Sequence, residues 1–90
     1  MKCEILSRPD EIMPLKRAAR EVSRSVDTIR RWCETRGICR QTGPGAPIEV
    51  NRVGLEMVVH GDNEALELLK AGRRDDPQVQ RYLGHLGLSA

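Results

Sequence analysis

Leu15, Ala18, Ala19 and Val22 recur at intervals of three and four, the spacing that sets side chains along one side of an α-helix. The pattern predicts a short amphipathic helix over 15–22, with Pro14 in its first turn, where a missing N–H costs nothing. Ser23 and Arg24 break the periodicity. Ser25 then stands where an N-cap hydroxyl would accept the free amide of Thr28, opening a second helix over 26–36 that Gly37 closes. At about 100° per residue, Val26, Ile29, Trp32, Cys33 and Arg36 fall on its packing side, while Asp27, Thr28, Arg31, Glu34 and Thr35 face outward with Arg30 flanking.

Beyond Gly37 the period changes. Residues 38–42 and 47–50 read as two extended runs around a Gly43-Pro44-Gly45-Ala46 tip, the pattern of a β-hairpin. Asn51 is placed to cap a third helix running to His60, and a fourth spans 63–71 with Ala65, Leu66, Leu68 and Leu69 apolar. Asp76-Pro77 opens a last helix in the cap-then-proline manner, with Val79, Leu83 and Leu86 four and three apart. At the N-terminus, Cys3-Glu4-Ile5-Leu6 reads as a short strand and Ser7-Arg8-Pro9-Asp10 as a turn. The chain divides into an N-terminal extension over 1–14, a central unit over 15–61 and C-terminal helices over 62–90. The leucines of that last part either complete a core or pair with another copy.

Composition narrows the picture. With hydrophobic content at 39 %, no Phe, one Trp and one Tyr, any core in this 90-residue chain is built from Leu, Ile, Val and Ala, which favours helices over a large sheet. No apolar run approaches the length of a membrane span, and Glu4, Arg8 and Asp10 interrupt the place of a signal peptide, so the expectation is a soluble, cytoplasmic protein without membrane contact. Three cysteines, an odd number, argue against a disulfide framework and for a reducing compartment. Cys33 and Cys39 read as small buried hydrophobes, because neither His60 nor His85 stands at a ligand-like spacing from them; no metal and no cofactor is expected. Nor is there a P-loop glycine motif or a Cys/His pair with a third orienting group, so the chain does not read as an enzyme.

Charge is unevenly placed. Between Leu15 and Arg40 eight basic residues stand against three acidic ones, a net +5, which against an overall +2 leaves −3 for the remainder. A segment that gathers arginine while the rest is acidic presents one face to a polyanion. Two short helices joined by a tight break and followed at once by a hairpin form the arrangement in which the second helix enters a major groove and the hairpin flanks it. The expected fold class is therefore mainly α with a small β-hairpin: a winged helix-turn-helix followed by additional C-terminal helices.

The run Leu15-Lys16-Arg17-Ala18-Ala19-Arg20-Glu21-Val22, followed by Ser25-Val26-Asp27-Thr28-Ile29-Arg30-Arg31-Trp32, resembles the DNA-binding segment of the MerR-like and phage excisionase families. The resemblance spans about residues 15–60, and the Ser-to-Trp stretch is its most specific part. Ser23 stands where those families commonly have glycine. The compact excisionase-like relatives are the closer comparison, since MerR-type regulators add a long dimerisation helix and an effector domain; no small-molecule ligand is expected.

In this reading the partner is double-stranded DNA, bound by a monomer or a homodimer. Arg30 and Arg31 contact guanine edges or phosphates, and Ser25 and Thr28 combine capping with phosphate donation. Asp27 either accepts from a cytosine amine or supports the helix N-terminus. Arg40, Gln41 and Thr42 reach the backbone or minor groove from the hairpin. Lys16, Arg17 and Arg24, with Arg20, hold phosphates, and Trp32 anchors the core. Function follows as sequence-specific transcription regulation or an excisionase-like accessory role in a phage or mobile element. The alternatives are the DNA-recognition small subunit of a phage packaging terminase and a winged-helix protein-interaction module without DNA binding.

Overall fold

A computed structural model of the chain describes residues 5–88. After a single 3-10 turn at Pro9–Glu11, strand β1 (Ile12–Pro14) leads into helices α1 (Leu15–Val22) and α2 (Val26–Arg36), then β2 (Cys39–Arg40), β3 (Glu49–Asn51), and helices α3 (Arg52–Val59), α4 (Asn63–Lys70) and α5 (Pro77–His85). The described residues are thus mainly helical, with a small antiparallel sheet in the order β1-β3-β2.

Local chemistry sets the boundaries. The Thr28 N–H donates to Ser25 Oγ at 3.1 Å, as the cap reading requires, and Gly37 ends α2 at φ 67°, in the left-handed region that glycine enters freely. Asn51 Oδ1 accepts from the Gly54 N–H, Asp62 Oδ1 from the Ala65 N–H and Asp76 Oδ1 from the Gln78 N–H, so α3, α4 and α5 each begin on a side-chain cap. Pro14 closes β1 and precedes α1 instead of entering its first turn. It lies on an edge strand, where a residue without an N–H is tolerated.

The sheet explains its own alternation. Met13, Val50 and Cys39 are paired in one row and all face the interior, while Pro14, Glu49 and Arg40 form the neighbouring row, none of them buried. The hairpin pattern therefore gains a third strand from the segment read as an N-terminal extension. The strand read over residues 3–6 is not found at Ile5 and Leu6, and Cys3 and Glu4 lie outside the described residues. Ile5 is buried, and Leu6 points into solvent.

One core runs through every element. Ala18 and Ala19 of α1, Ile29 and Cys33 of α2, Val53, Leu55 and Met57 of α3, Leu66 and Leu69 of α4 and Val79 and Leu83 of α5 are buried together. The C-terminal leucines thus complete the core, with Leu68, Leu86 and Leu88 half-buried at its margin. Small residues allow the close approaches: a Cβ on Gly54 would stand 2.9 Å from Ile5 Cδ1 and 3.0 Å from Ile38 Cγ2. Among the described residues no helix is long and apolar enough to cross a membrane.

Among the described residues two polar groups are buried with this core, Glu11 and Asn51. Arg74, between α4 and α5, grips Glu11 with both ends of its guanidinium, at 2.5 Å to Oε2 and 2.8 Å to Oε1, and donates to the Leu6 carbonyl at 2.9 Å. Asn51 Nδ2 donates to Glu11 Oε1 and to Ser7 Oγ. Burial pushes the Glu11 carboxyl up, but the hydrogen bonds from Arg74, the Arg8 N–H and Asn51, with the Arg74 charge, outweigh it and hold the group below its ordinary value. Hydrogen bonding to Glu11 in turn raises Arg74.

The cysteine expectation is overturned. Cys33 and Cys39 are joined by a disulfide, because the reversal at Gly37 brings their Cα atoms to 5.0 Å, inside the range a disulfide spans. An odd cysteine count leaves room for one local bridge. Cys3 lies outside the described residues.

Candidate nucleic-acid interface

The turn between α1 and α2 fixes how the two helices present their outer faces. Ser23 adopts φ 55° and ψ 46°, the one non-glycine residue at positive φ among those described, and the Arg24 N–H donates to Ala19 O at 3.0 Å, which closes α1 in the Schellman manner. Arg24 Nη1 lies within hydrogen-bonding distance of the Val22 and Ser23 carbonyls, setting a cation at the negative end of α1. With Ala18 and Ala19 buried, α1 approaches α2 closely, and Ile29 and Cys33 fix the underside of α2 to the core.

What remains outside on α2 is Asp27, Arg30, Arg31, Glu34, Thr35 and Arg36, all exposed. Thr28 is half-buried, its hydroxyl 3.0 Å from Ser25 Oγ. Val26 and Trp32 are half-buried against the core, so Trp32 packs at the core's edge. Arg36, expected on the packing side, is exposed instead and donates to Asn63 Oδ1 at 2.8 Å, linking the end of α2 to the start of α4. The long side chain carries its charge out of the packing side, because burial would strip the guanidinium of water without a counter-charge.

Arginine availability divides the basic set. Lys16, Arg20, Arg30 and Arg31 are exposed and make no ion pair or side-chain hydrogen bond among the described residues. Arg17 pairs with Glu21 at 3.2 Å on the outer side of α1, a solvated pair worth little. Asp27 sits at the second position of α2, exposed, while the capping bond itself belongs to Ser25.

The hairpin loop behaves differently from expectation. Arg40 Nε bonds Glu49 Oε1 at 3.1 Å across the β2–β3 pair, and Gln41 Nε2 donates to the Ala46 carbonyl at 2.7 Å. Two of the three residues expected to reach a ligand from the hairpin thus shape the loop itself, since Glu49 is Arg40's direct cross-strand partner and opposite charges there attract. Thr42 stays exposed. Pro44 and Gly45, the latter at φ 79°, turn the tip, which the Ala46 N–H to Gly43 O bond closes.

Comparison with protein-family models, curated proteins and solved structures finds no match to this chain. The reading of the interface therefore rests on its geometry. The helical period places Asp27, Arg30, Arg31, Glu34 and Thr35 outward, as found, but misplaces Arg36 and Thr28 and gives no sign of the contacts that hold the surface in shape: the Cys33–Cys39 bond, the Arg36–Asn63 link and the Arg40–Glu49 pair. The one available signal was two cysteines bracketing a C-cap glycine. A cleft of about 700 Å³ lies elsewhere, between His60, Asp62, Arg81, Tyr82 and His85. Within it Tyr82 Oη donates to Asp62 Oδ2 at 2.9 Å, and His85 lies 3.8 Å from Glu56 outside the lining. Burial, together with the Asp62 carboxylate, pushes Tyr82 up to about 12.

Proposed function

We propose that this protein binds double-stranded DNA in a sequence-specific way through a winged helix-turn-helix, with α1, the Ser23 turn and α2 as the reading head and the β2–β3 loop as the wing. The observation that carries the reading is the outer face of α2, where Arg30 and Arg31 stand exposed and unpaired among the described residues on a helix whose opposite side is locked into the core. Arginine whose donors are unspent and whose backbone is rigid is suited to bidentate contact with guanine or to phosphate. Lys16, Arg17, Arg20 and Arg24 flank that face as phosphate contacts. Ser25 and Thr28 mark the helix N-terminus, where an anion is favoured. Asp27 is the candidate acceptor from a cytosine amine, Thr42 the free polar side chain of the wing, and Arg40 and Gln41 act chiefly by shaping it.

The biological role follows the resemblance: a transcription regulator or an excisionase-like accessory factor. The free α2 face favours this over a protein-interaction module, which would be supported by a basic face covered by the chain's own C-terminal helices; here α4 and α5 complete the core beside α3. The test is selection from a random double-stranded DNA library at two salt concentrations, with the bound fraction sequenced. Enrichment of a short motif with affinity falling as salt rises supports the proposal. No binding at low salt overturns it.

A further inference from the structure

The Cys33–Cys39 bond lies between the two elements that the proposed DNA reading employs. Cys33 belongs to the C-terminal half of α2 and Cys39 is the first residue of β2, and both are buried. The base of the wing is also held by Ile38 and Val50, buried in the same core as Ile29, and by the pairing of β3 with β1, whereas the loop beyond β2 has no such anchor among the described residues. The covalent link is Gly37-Ile38, β2 is two residues long, and the loop beyond it is braced mainly by bonds within the hairpin, Gln41 to Ala46, Ala46 to Gly43 and Arg40 to Glu49.

We propose that this disulfide is a redox switch on DNA binding, an inference that rests on the DNA reading above: the oxidised form fixes the register between the end of α2 and the wing, and a dithiol reductant loosens it. Reduction is a two-step exchange. A thiolate of the reductant attacks one protein sulfur, forms a mixed disulfide and expels the other sulfur as a thiolate, which takes up a proton; the reductant's second thiolate then displaces the first sulfur. Two electrons and two protons pass to the protein, leaving Cys33 and Cys39 as thiols and the reductant as its disulfide. Two buried sulfurs that were covalently bonded then stand in non-bonded contact and need more room. In a close-packed site the end of α2 and β2 must part to provide it. Because both sulfurs are buried, exchange also requires opening of the last turn of α2. Neither cysteine belongs to the contacting face, so the effect is on pre-organisation.

The test compares the wild-type protein equilibrated with oxidised glutathione or with dithiothreitol, the state of Cys33 and Cys39 assigned by alkylation and peptide mass, and each form titrated with a random-sequence duplex at low salt. The oxidised form is expected to bind about three- to tenfold more tightly, the scale on which pre-organising one loop acts. Cys33→Ala/Cys39→Ala, checked for helical circular dichroism, is expected to bind like the reduced form in both buffers. Should that variant not fold, hydrogen exchange of the wild type replaces it, with faster exchange across residues 39–50 expected on reduction. Equal affinity in the two mapped states, or two free thiols after oxidation, overturns this inference alone. Absence of DNA binding in both states overturns the DNA reading and this inference with it.

Discussion

Ser23 shows how much a single backbone conformation matters. A side chain in the left-handed region costs roughly 1–2 kcal/mol, and glycine loses about 0.5–1 kcal/mol of extra chain entropy on folding. Ser23→Gly is therefore expected to stabilise the protein by about 0.5 kcal/mol, read as a higher midpoint in urea unfolding with unchanged slope; a lower midpoint would refute the strain account. Glu11 carries the opposite kind of information. Its carboxyl is held below its unfolded value, so the stability it contributes is present above the unfolded value near 4.5 and is lost as pH falls through the lower folded value. Thermal midpoints of the wild type should fall between about pH 5 and pH 3 more steeply than those of Glu11→Gln. At neutral pH the variant should be less stable by about 3 kcal/mol, because Arg74 is left without its counter-charge in a largely buried place. Parallel pH profiles in the two proteins would remove Glu11 from the explanation.

At the scale of elements, the disulfide closes a loop of sequence separation 6, which in the chain-entropy picture is worth about 2 kcal/mol. Unfolding by urea with and without dithiothreitol should differ by about that amount, and coincident curves would show the bond to be absent or without effect. The helices were legible because their ends are marked locally: Ser25, Asn51 and Asp76 cap where their side chains can reach an amide, and Gly37 ends α2 where only glycine reverses freely. Strand β1 was not legible. Ile12-Met13-Pro14 has no alternation long enough to count, and it is a strand only because β3 offers its free edge to it. The Glu11–Arg74 pair joins residues 63 apart and the Cys33–Cys39 bond depends on the shape of one turn, so both belong to the folded chain and not to any local pattern.

For the whole molecule, the basic side chains of α1 and α2 are exposed, while the leucines of the C-terminal helices are taken up by the core beside α3. Arg30 and Arg31 could be read as outward from the 3.6-residue period, whereas Arg36 could not, and Arg40 and Gln41 could not be assigned, since their partners Glu49 and Ala46 come into reach only when the hairpin closes. If Lys16, Arg17, Arg20 and Arg24 each neutralise a phosphate, the logarithm of the binding constant falls against that of salt with a slope of about −3.6, or roughly a hundredfold loss over a fourfold rise in salt. A slope near zero would exclude phosphate contact by this face. The central claim is that Arg30 and Arg31 read DNA, and the most direct test titrates the library-selected duplex with the wild type and with Arg30→Ala/Arg31→Ala at matched salt. Loss of about 2–6 kcal/mol of binding with unchanged circular dichroism is the expected result; undiminished affinity in the folded double variant would contradict it.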